Sequence, residues 1–421
     1  MNYKFDDSVK LLKNGEYVIL GNTKNGQWIK MTNYIYNIFK IGIDNSLDIN
    51  ELKKCLEDDE DRQFIQNLYE NLLDMRIIYD EINNVAFQNK IASLEITNRC
   101  NLKCVHCCVD ADNLISEKEE LSTIELKDAI KKIVEWNPMN IMLSGGEPMV
   151  RSDFFEILTY LKSIYKGNII VSTNATLINK NNVELLIKNV NKLEISLDGV
   201  NEQTCSIVRG KGVFKKVIDS VNLIKSFGFD NITLSMAVGN KNEYLEEEFK
   251  DLCKNLGVGH MIRRFGPVGR GKENEHEHLF LDNNKDEAYI PENFLKDNYD
   301  GNMGVTSCKA GIYEIFIRHN GDIYPCPSFM SDEYKITNLC DIQQISEIKD
   351  KYINKVDVFS ILEKINPEIY KNCIDCNVNL FCWTCPGEIE ELKDSKASLF
   401  NKCSKIKNIL YKRVWGNDGV C

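Results

Sequence analysis

Three cysteines, Cys100, Cys104 and Cys107, follow directly on a short apolar run, IASLEIT, with three and then two residues between them. Two further groups lie downstream: Cys308 and Cys326, then Cys373, Cys376, Cys382, Cys385 and Cys403. Sixteen cysteines in 421 residues are too dilute for a small disulfide scaffold. In a reducing compartment, cysteines grouped this way read as metal ligands. The downstream groups lie in a segment, 301–405, with little continuous periodicity, which needs something besides a hydrophobic core to hold it, and metal clusters would serve.

The stretch around the first group supplies a hydrophobic core. Across residues 89–300, short apolar runs alternate with amphipathic helical patterns: IASLEIT, NIMLSGG, NIIVSTN, KLEISLDG, NITLSMAV and HMIRRFG. This rhythm predicts parallel βα units, six of them, fewer than the eight of a closed barrel, so an open or partial (β/α)6 barrel is expected. Ser122 and Glu125 form an S-x-x-E capping box for the first crossover helix, and a second helix is expected over 154–164. Loops at the C-terminal ends of such strands carry the active site in α/β folds, and the cysteine triplet lies on the first of them.

Residues 1–88 read as a small α+β unit. Two strands, Glu16–Leu20 and Gln27–Met31, flank the turn signal GNTKNG. Phe64, Leu68, Leu72 and Met75 recur at helical steps, and RIIYDEI reads as a closing strand. Trp28, Tyr34, Tyr36 and Phe39 are candidates for core or for a pocket. Residues 301–405 hold short strands, YEIFIRH and DIYPC, among the cysteines, and 406–421 read as a helix with a loose end carrying Cys421. Cys55, Cys205, Cys253 and Cys421 follow no pattern and are expected to be buried thiols.

The formal net charge is −11, a poor match for nucleic acid, which binds through clustered Lys and Arg. No stretch reaches the ~20 apolar residues of a membrane helix, and the start, MNYKFDDSVKLLKNGEY, lacks a signal pattern. The expectation is a soluble cytoplasmic protein with no membrane or nucleic-acid partner.

Three thiolates can hold three irons of a [4Fe–4S] cube and leave the fourth open for substrate. A zinc site is the other reading, with Cys108 as a fourth ligand. Ser144-Gly145-Gly146-Glu147-Pro148 closes the next strand, Asn174 the third, Ser196 and Asp198 lie in ISLDG, and Arg209 in VRG. Together the triplet, with His106 before its last cysteine, and the GGEP segment resemble the radical SAM superfamily. That resemblance implies a cluster on Cys100, Cys104 and Cys107 that cleaves S-adenosylmethionine (SAM) reductively to a 5′-deoxyadenosyl radical. It places His106 near the adenine, Gly145, Gly146 and Glu147 at the amino group, Asn174 nearby, and Ser196 and Arg209 at the carboxylate. The run Arg263-Arg264-x-Gly266-Pro267-x-Gly269-Arg270 either closes the site or is a solvated loop.

The second array, Cys308-x12-Gly321-x4-Cys326 and then Cys373-x2-Cys376-x5-Cys382-x2-Cys385 with Cys403, resembles the SPASM domain. The last pair is spaced x2 where that family often has x3. The resemblance implies two auxiliary [4Fe–4S] clusters, three in all. Cys373, Cys376, Cys382 and Cys403 would hold one. Cys308, Cys326 and Cys385 would hold the other, with Cys340 or an open iron as the fourth site. Zinc ribbons are the alternative.

With this chemistry behind it, residues 1–88 resemble in layout a RiPP recognition element, a winged-helix-like module that binds the leader of a precursor peptide by strand addition. The three-part layout is similar to sactipeptide and ranthipeptide maturases, which form Cys thioether crosslinks in a ribosomally made peptide. It implies a precursor peptide and a reductant such as flavodoxin or ferredoxin as partners. Peptide epimerisation, carbon–carbon crosslinking and sulfatase-type maturation stay open, as does a non-catalytic electron-transfer protein. Because sulfatase-type enzymes lack the leader module, removing residues 1–88 is the test the sequence suggests between them.

Overall fold

The computed structural model describes residues 2–80, 89–112, 114, 119–239, 241–266, 268–274, 290–297, 299, 301–352, 373, 375–382, 385–388 and 396–416. Cys421 and Pro267 lie outside the described residues. By packing, the chain divides into two compact units, residues 88–285 with 310–358, and residues 1–87 with 286–309 and 359–421.

The first of these units is built on one open sheet. Strands β6 (Ile91–Glu95), β7 (Asn140–Ser144), β8 (Asn168–Thr173), β9 (Lys192–Ser196), β10 (Ile232–Val238) and β11 (Gly259–Arg264) lie side by side in chain order, all parallel. On the far side of β6 the sheet continues with β12 (Glu314–Ile317), also parallel, then β13 (Asp322–Tyr324), antiparallel to β12, and β14 (Thr337–Asn338), antiparallel to β13. All six strands expected from the apolar rhythm are present. Helices α4 (Thr123–Glu135), α5 (Phe154–Ile164), α6 (Val183–Asn189), α7 (Glu202–Arg209), α8 (Val213–Ser226) and α9 (Glu246–Leu256) fill the connections. Ser122 caps α4 through the reciprocal box with Glu125.

Parallel sheets covered on both faces are apolar throughout. This one is two-sided. Ala92, Leu94, Ile141, Leu143, Ile169, Val171, Leu193, Ile195, Leu234 and Met236 are buried in one core with residues of the helices. The alternate positions are mostly polar, Ser93, Glu95, Ser144, Ser172, Glu194, Ser196 and Ser235 among them, with Met142, Ile170 and Ala237 as apolar members. Strand order that follows chain order, with right-handed crossovers, puts the helices on one face. The polar face is then left for something other than core.

In the second unit, β2 (Val9–Asn14), β3 (Tyr17–Asn22) and β4 (Trp28–Thr32) form an antiparallel sheet, with β2 at one edge. The expected hairpin is β3–β4; β2 was not foreseen. The short β1 (Tyr3–Phe5) pairs with β5 (Ile78–Asp80), the expected closing strand, whose last residues lie outside the described ones. Helices α1 (Asn33–Asp44), α2 (Ile49–Lys54) and α3 (Asp59–Asp74) complete the module. The buried stripe of α3 is Ile65, Leu68, Tyr69 and Leu72, an i, i+3, i+4, i+7 series. Phe64 is one position off that stripe and is 41% exposed, which corrects the expected face. Phe39 is core, Tyr36 stacks on Phe5, Trp28 packs edge-on against Phe381, and Tyr34 is exposed, so these four share no pocket. Cys205 and Cys253 are buried as expected, whereas Cys55, at the end of α2, is exposed.

The three-stranded sheet is covered on its second face by the same unit's C-terminal segments. Leu12 and Ile19 are buried with Val305, Val378, Phe381, Ile406, Leu410, Val414 and Trp415, the last four forming the inner face of the helix Lys396–Trp415. Among the described residues, no helix is long and apolar enough to cross a membrane.

Candidate functional site

Strand β6 runs straight into the cysteine loop, and the loop is fastened from below by a buried ionic cluster. Glu120 accepts from the Arg99 and Arg151 guanidinium groups at 3.2 and 3.3 Å and from the Asn98 backbone N–H at 3.2 Å, and it also bonds Thr97 Oγ1. Arg151 donates in turn to the Ile96 and Leu121 carbonyls and to Asp153. None of these residues carries a motif. Their signal is only the cost of burying charge, which demands partners of this kind.

From the next strand, the GGE segment stitches onto the loop. The Gly146 and Glu147 N–H groups donate to the Thr97 and Arg99 carbonyls at 2.8 and 2.9 Å. A Cβ at Gly145 would stand 2.2 Å from Thr97 O, and one at Gly146 2.2 Å from Arg99 O. The glycines are required by this backbone-to-backbone approach. Gly146→Ala is therefore expected to push the cysteine loop off its strand and to lower stability by about 1–3 kcal/mol, as an overpacked contact does. Thermal unfolding of the purified variant checks this. The Glu147 carboxylate is fully buried and turned inward, accepting from Thr173 Oγ1 at 2.8 Å and from the Asn174 N–H at 2.7 Å. Burial pushes its carboxyl up, against those bonds.

The three thiols of the triplet each have an N–H donor. Leu102 N lies 3.3 Å from Cys100 Sγ, Ala111 N lies 3.3 Å from Cys107 Sγ, and Arg209 Nη1 lies 3.7 Å from Cys104 Sγ. Asn174 Nδ2 adds a second, at 3.8 Å from Cys100 Sγ, and bonds Asn101 at 2.9 Å. Cys100 and Cys104 are buried. Burial pushes the Cys100 thiol up to about 12, with the Leu102 N–H working the other way. The Cys104 thiol is also raised by burial, and the Arg209 guanidinium opposes the rise.

Asp198 joins this loop to the sheet. It takes a left-handed backbone, φ 54°, at the end of β9. His106 Nε2 lies 2.9 Å from its Oδ2, the Arg209 Nε donates to it at 2.6 Å, and the Ala237 N–H donates to Oδ1 at 2.6 Å. Burial would raise its carboxyl, but the charge of Arg209 and the bond to His106 hold it well below the usual carboxylate range. Ser196, two residues earlier, is half-buried on the polar sheet face. The other side of the loop is closed by Gly269 and Arg270. Arg270 donates to the Cys104 and Ala111 carbonyls at 2.9 and 2.7 Å, and its own N–H to the Cys107 carbonyl at 3.0 Å. Gly269, at φ 57°, leaves 2.6 Å between an added Cβ and Cys108 O. Of the two readings of that run, closure holds for Gly269 and Arg270; Arg263 instead pairs with Glu194 at 3.1 Å. Cys108 itself is exposed.

On the polar sheet face, Glu95 is fully buried, with His319 Nδ1 at 2.9 Å and Arg318 Nε at 3.3 Å. Sequence reasoning missed this group. Its one trace is a Glu inside an otherwise apolar strand, IASLEIT.

In the other unit, Cys373, Cys376, Cys382 and Cys403 stand near one another. Burial pushes the Cys382 thiol up to about 12, Lys402 opposes this, and Cys373, Cys403 and Cys376 add to it. Cys373 is likewise raised, by burial and then by Cys376 and Cys403. Cys308 and Cys385 belong to this unit, and Cys326 and Cys340 to the sheet-bearing one. A single tetrahedral zinc draws its thiolates to within about 2.3 Å of one point. Among the described residues, no three His, Cys, Asp or Glu side chains gather closely enough to hold one metal ion.

Comparison with known proteins matches two segments of the chain. The radical SAM superfamily matches residues 94–255, and an iron–sulfur cluster-binding domain, SPASM, matches residues 308–377. The mycofactocin maturase MftC of Mycolicibacterium smegmatis is 30% identical over 261 residues, covering 58% of this chain and 66% of that protein. The chain thus spans just under two thirds of that relative's length. The antilisterial bacteriocin subtilosin biosynthesis protein AlbA of Bacillus subtilis is 25% identical over 333 residues, covering 75% of this chain and 71% of its own. Streptococcus suis SuiB bound to S-adenosylmethionine shares the fold, with a TM-score of 0.51 at 16% identity over 91% of this chain and 97% of that one.

Proposed function

We propose that this chain, which carries a radical SAM domain and a SPASM domain, is a peptide maturase that forms Cys thioether crosslinks in a ribosomally made precursor. The observation that carries the reading is the triplet itself. Three thiols, each given an N–H donor, lie on the loop that follows β6. The donor set fits a [4Fe–4S] cluster with one iron open, held by Cys100, Cys104 and Cys107. Cys373, Cys376, Cys382 and Cys403 would hold one auxiliary cluster, and Cys308, Cys326 and Cys385 would serve the other, with Cys340 as the candidate fourth ligand. When bound, these groups and SAM supply hydrogen-atom abstraction from carbon and an acceptor for the one electron left over.

The chain's own residues position and shield that chemistry. Gly145, Gly146 and Glu147 fix the cysteine loop, and with Asn174, Ser196 and His106 they would line the SAM site. Arg270 closes the loop's outer side. Each crosslink removes one hydrogen atom from carbon and one proton from the thiol, and forms one S–C bond. Maturation in the names of MftC and AlbA's part in bacteriocin biosynthesis support a peptide substrate. The unpaired outer edge of β2 among the described strands supports leader binding by strand addition in residues 1–88. A cytoplasmic setting with a flavodoxin or ferredoxin reductant completes the proposal.

Anaerobic co-expression with a Cys-rich precursor from a neighbouring reading frame tests it. The expected result is a loss of two hydrogens, about 2 Da, per crosslink, with those cysteines resistant to alkylation. An unchanged mass rules out thioether formation and turns the reading to epimerisation.

A further inference from the structure

The three triplet thiols differ in what donates to them. Cys100 and Cys107 receive neutral amide N–H groups, from Leu102 and Ala111. Cys104 alone receives a cation, the Arg209 guanidinium at 3.7 Å. Arg209 is in turn forked onto Asp198 through Nε and Nη2, with its side chain 9% exposed. Asp198 meets His106 Nε2 at the same Oδ2 and accepts the Ala237 N–H at Oδ1. The guanidinium is therefore fixed by a carboxylate anchored in both the cysteine loop and the sheet. The resemblance to radical SAM proteins places Arg209 at the SAM carboxylate; here its fork is already engaged, and its free end points at a cluster thiol.

We propose that Arg209, positioned by Asp198, sets the reduction potential of the cluster on Cys100, Cys104 and Cys107. This rests on the assignment of that cluster above. Reduction adds one negative charge to the cluster. A cation and an N–H donor at one thiolate stabilise the reduced form more than the oxidised one, and hydrogen bonds to the sulfurs are among the terms that set iron–sulfur potentials. Burial keeps this interaction from being screened by water. Arg209 is a positioning residue in this account, acting through Cys104 rather than on substrate.

The test is a redox titration of the anaerobically purified full-length protein, without SAM. It follows the reduced-cluster electron paramagnetic resonance signal that is missing from the Cys100→Ala/Cys104→Ala/Cys107→Ala variant. Arg209→Gln keeps a donor for Asp198 but loses the charge. Its reduction equilibrium is expected to fall about tenfold, about 59 mV for one electron. Arg209→Lys keeps the charge in the buried site, so it is the variant that folds if the glutamine variant does not. One ammonium cannot serve Asp198 and Cys104 together as the fork does, so its equilibrium falls about threefold. A potential equal to wild type in the folded variants, with SAM binding weakened instead, overturns the proposal and returns Arg209 to the SAM carboxylate. If the wild type shows no such reducible signal, the cluster assignment falls and takes this inference with it.

Discussion

Cys100→Ala/Cys104→Ala/Cys107→Ala will make no 5′-deoxyadenosine from SAM and dithionite, while the protein stays folded. The activity should fall to the uncatalysed background, because an open iron exists only if three thiolates hold the other three. The fold should survive for a separate reason. The large core lies on the helix-covered face of the sheet, built from residues such as Leu94, Leu143, Val171, Ile195 and Leu234, and contains none of the three cysteines. The loop also keeps its fastening through Glu120, Arg99 and Arg151. Cysteine to alanine at a loop removes one sulfur per site, a change of about 1 kcal/mol or less each where the site can relax. Product assay by chromatography, with circular dichroism on the same sample, reads both halves of the expectation. Undiminished 5′-deoxyadenosine from the folded triple variant would sink the radical SAM reading of this site.

The second large effect concerns the N-terminal module. Deleting residues 1–87 will leave an aggregating chain that loses its auxiliary iron, rather than an active enzyme without a leader-binding arm. Taking Leu12 and Ile19 away uncovers Val305, Val378, Phe381, Ile406, Leu410, Val414 and Trp415. Those seven buried side chains, at about 1.5–3 kcal/mol each, represent on the order of 10 kcal/mol. That is the size of a whole domain's stability. Backbone is lost as well: Val305 and Cys308 donate to the carbonyls of Gly26 and Thr23, and Trp28 Nε1 donates to Met303 O at 2.7 Å. Size-exclusion chromatography and iron analysis of the truncated protein check this. A soluble monomer with full iron would show that the apolar cluster is dispensable. The truncation suggested by the sequence thus cannot separate leader-dependent from sulfatase-type maturation. A substitution on the exposed outer strand, such as Leu11→Asp on β2, tests leader binding without opening the core.

Much of the sheet-bearing unit was legible because its signals are local. A parallel strand is a run of five to seven residues, and each of the six carries its own short apolar run. The S-x-x-E box marked the start of α4 because a cap is made within four residues. The N-terminal module was less legible. VKLLKN, the β2 strand, has one buried residue, Leu12, so its pattern is that of a solvated segment until its partner β3 is known. Phe64 is apolar and falls at a helical step from Leu68, yet one rotation of about 100° put Ile65 inside in its place.

The site divides in the same way. The cysteine spacing, the GGE segment and the ISLDG and VRG positions are sequence-local, so their gathering at the strand ends could be expected once the strands were placed. The fastening of the loop could not. Glu120 meets Arg99 and Arg151, and Glu95 meets His319 across 224 residues, through charge pairing that leaves no fixed interval in the chain. The same holds for Arg209: the sequence marks it as a candidate anion ligand, and only the fold turns its fork onto Asp198 and its remaining edge onto Cys104. The chain by itself determined on which loops the cysteine triplet and the GGE, ISLDG and VRG segments sit, because thiol spacing and strand periodicity are short-range properties. Which partners tune those residues, and which face of the N-terminal sheet the C-terminal helix covers, were decided in three dimensions, because burial and electrostatic pairing depend on distance in space rather than along the chain.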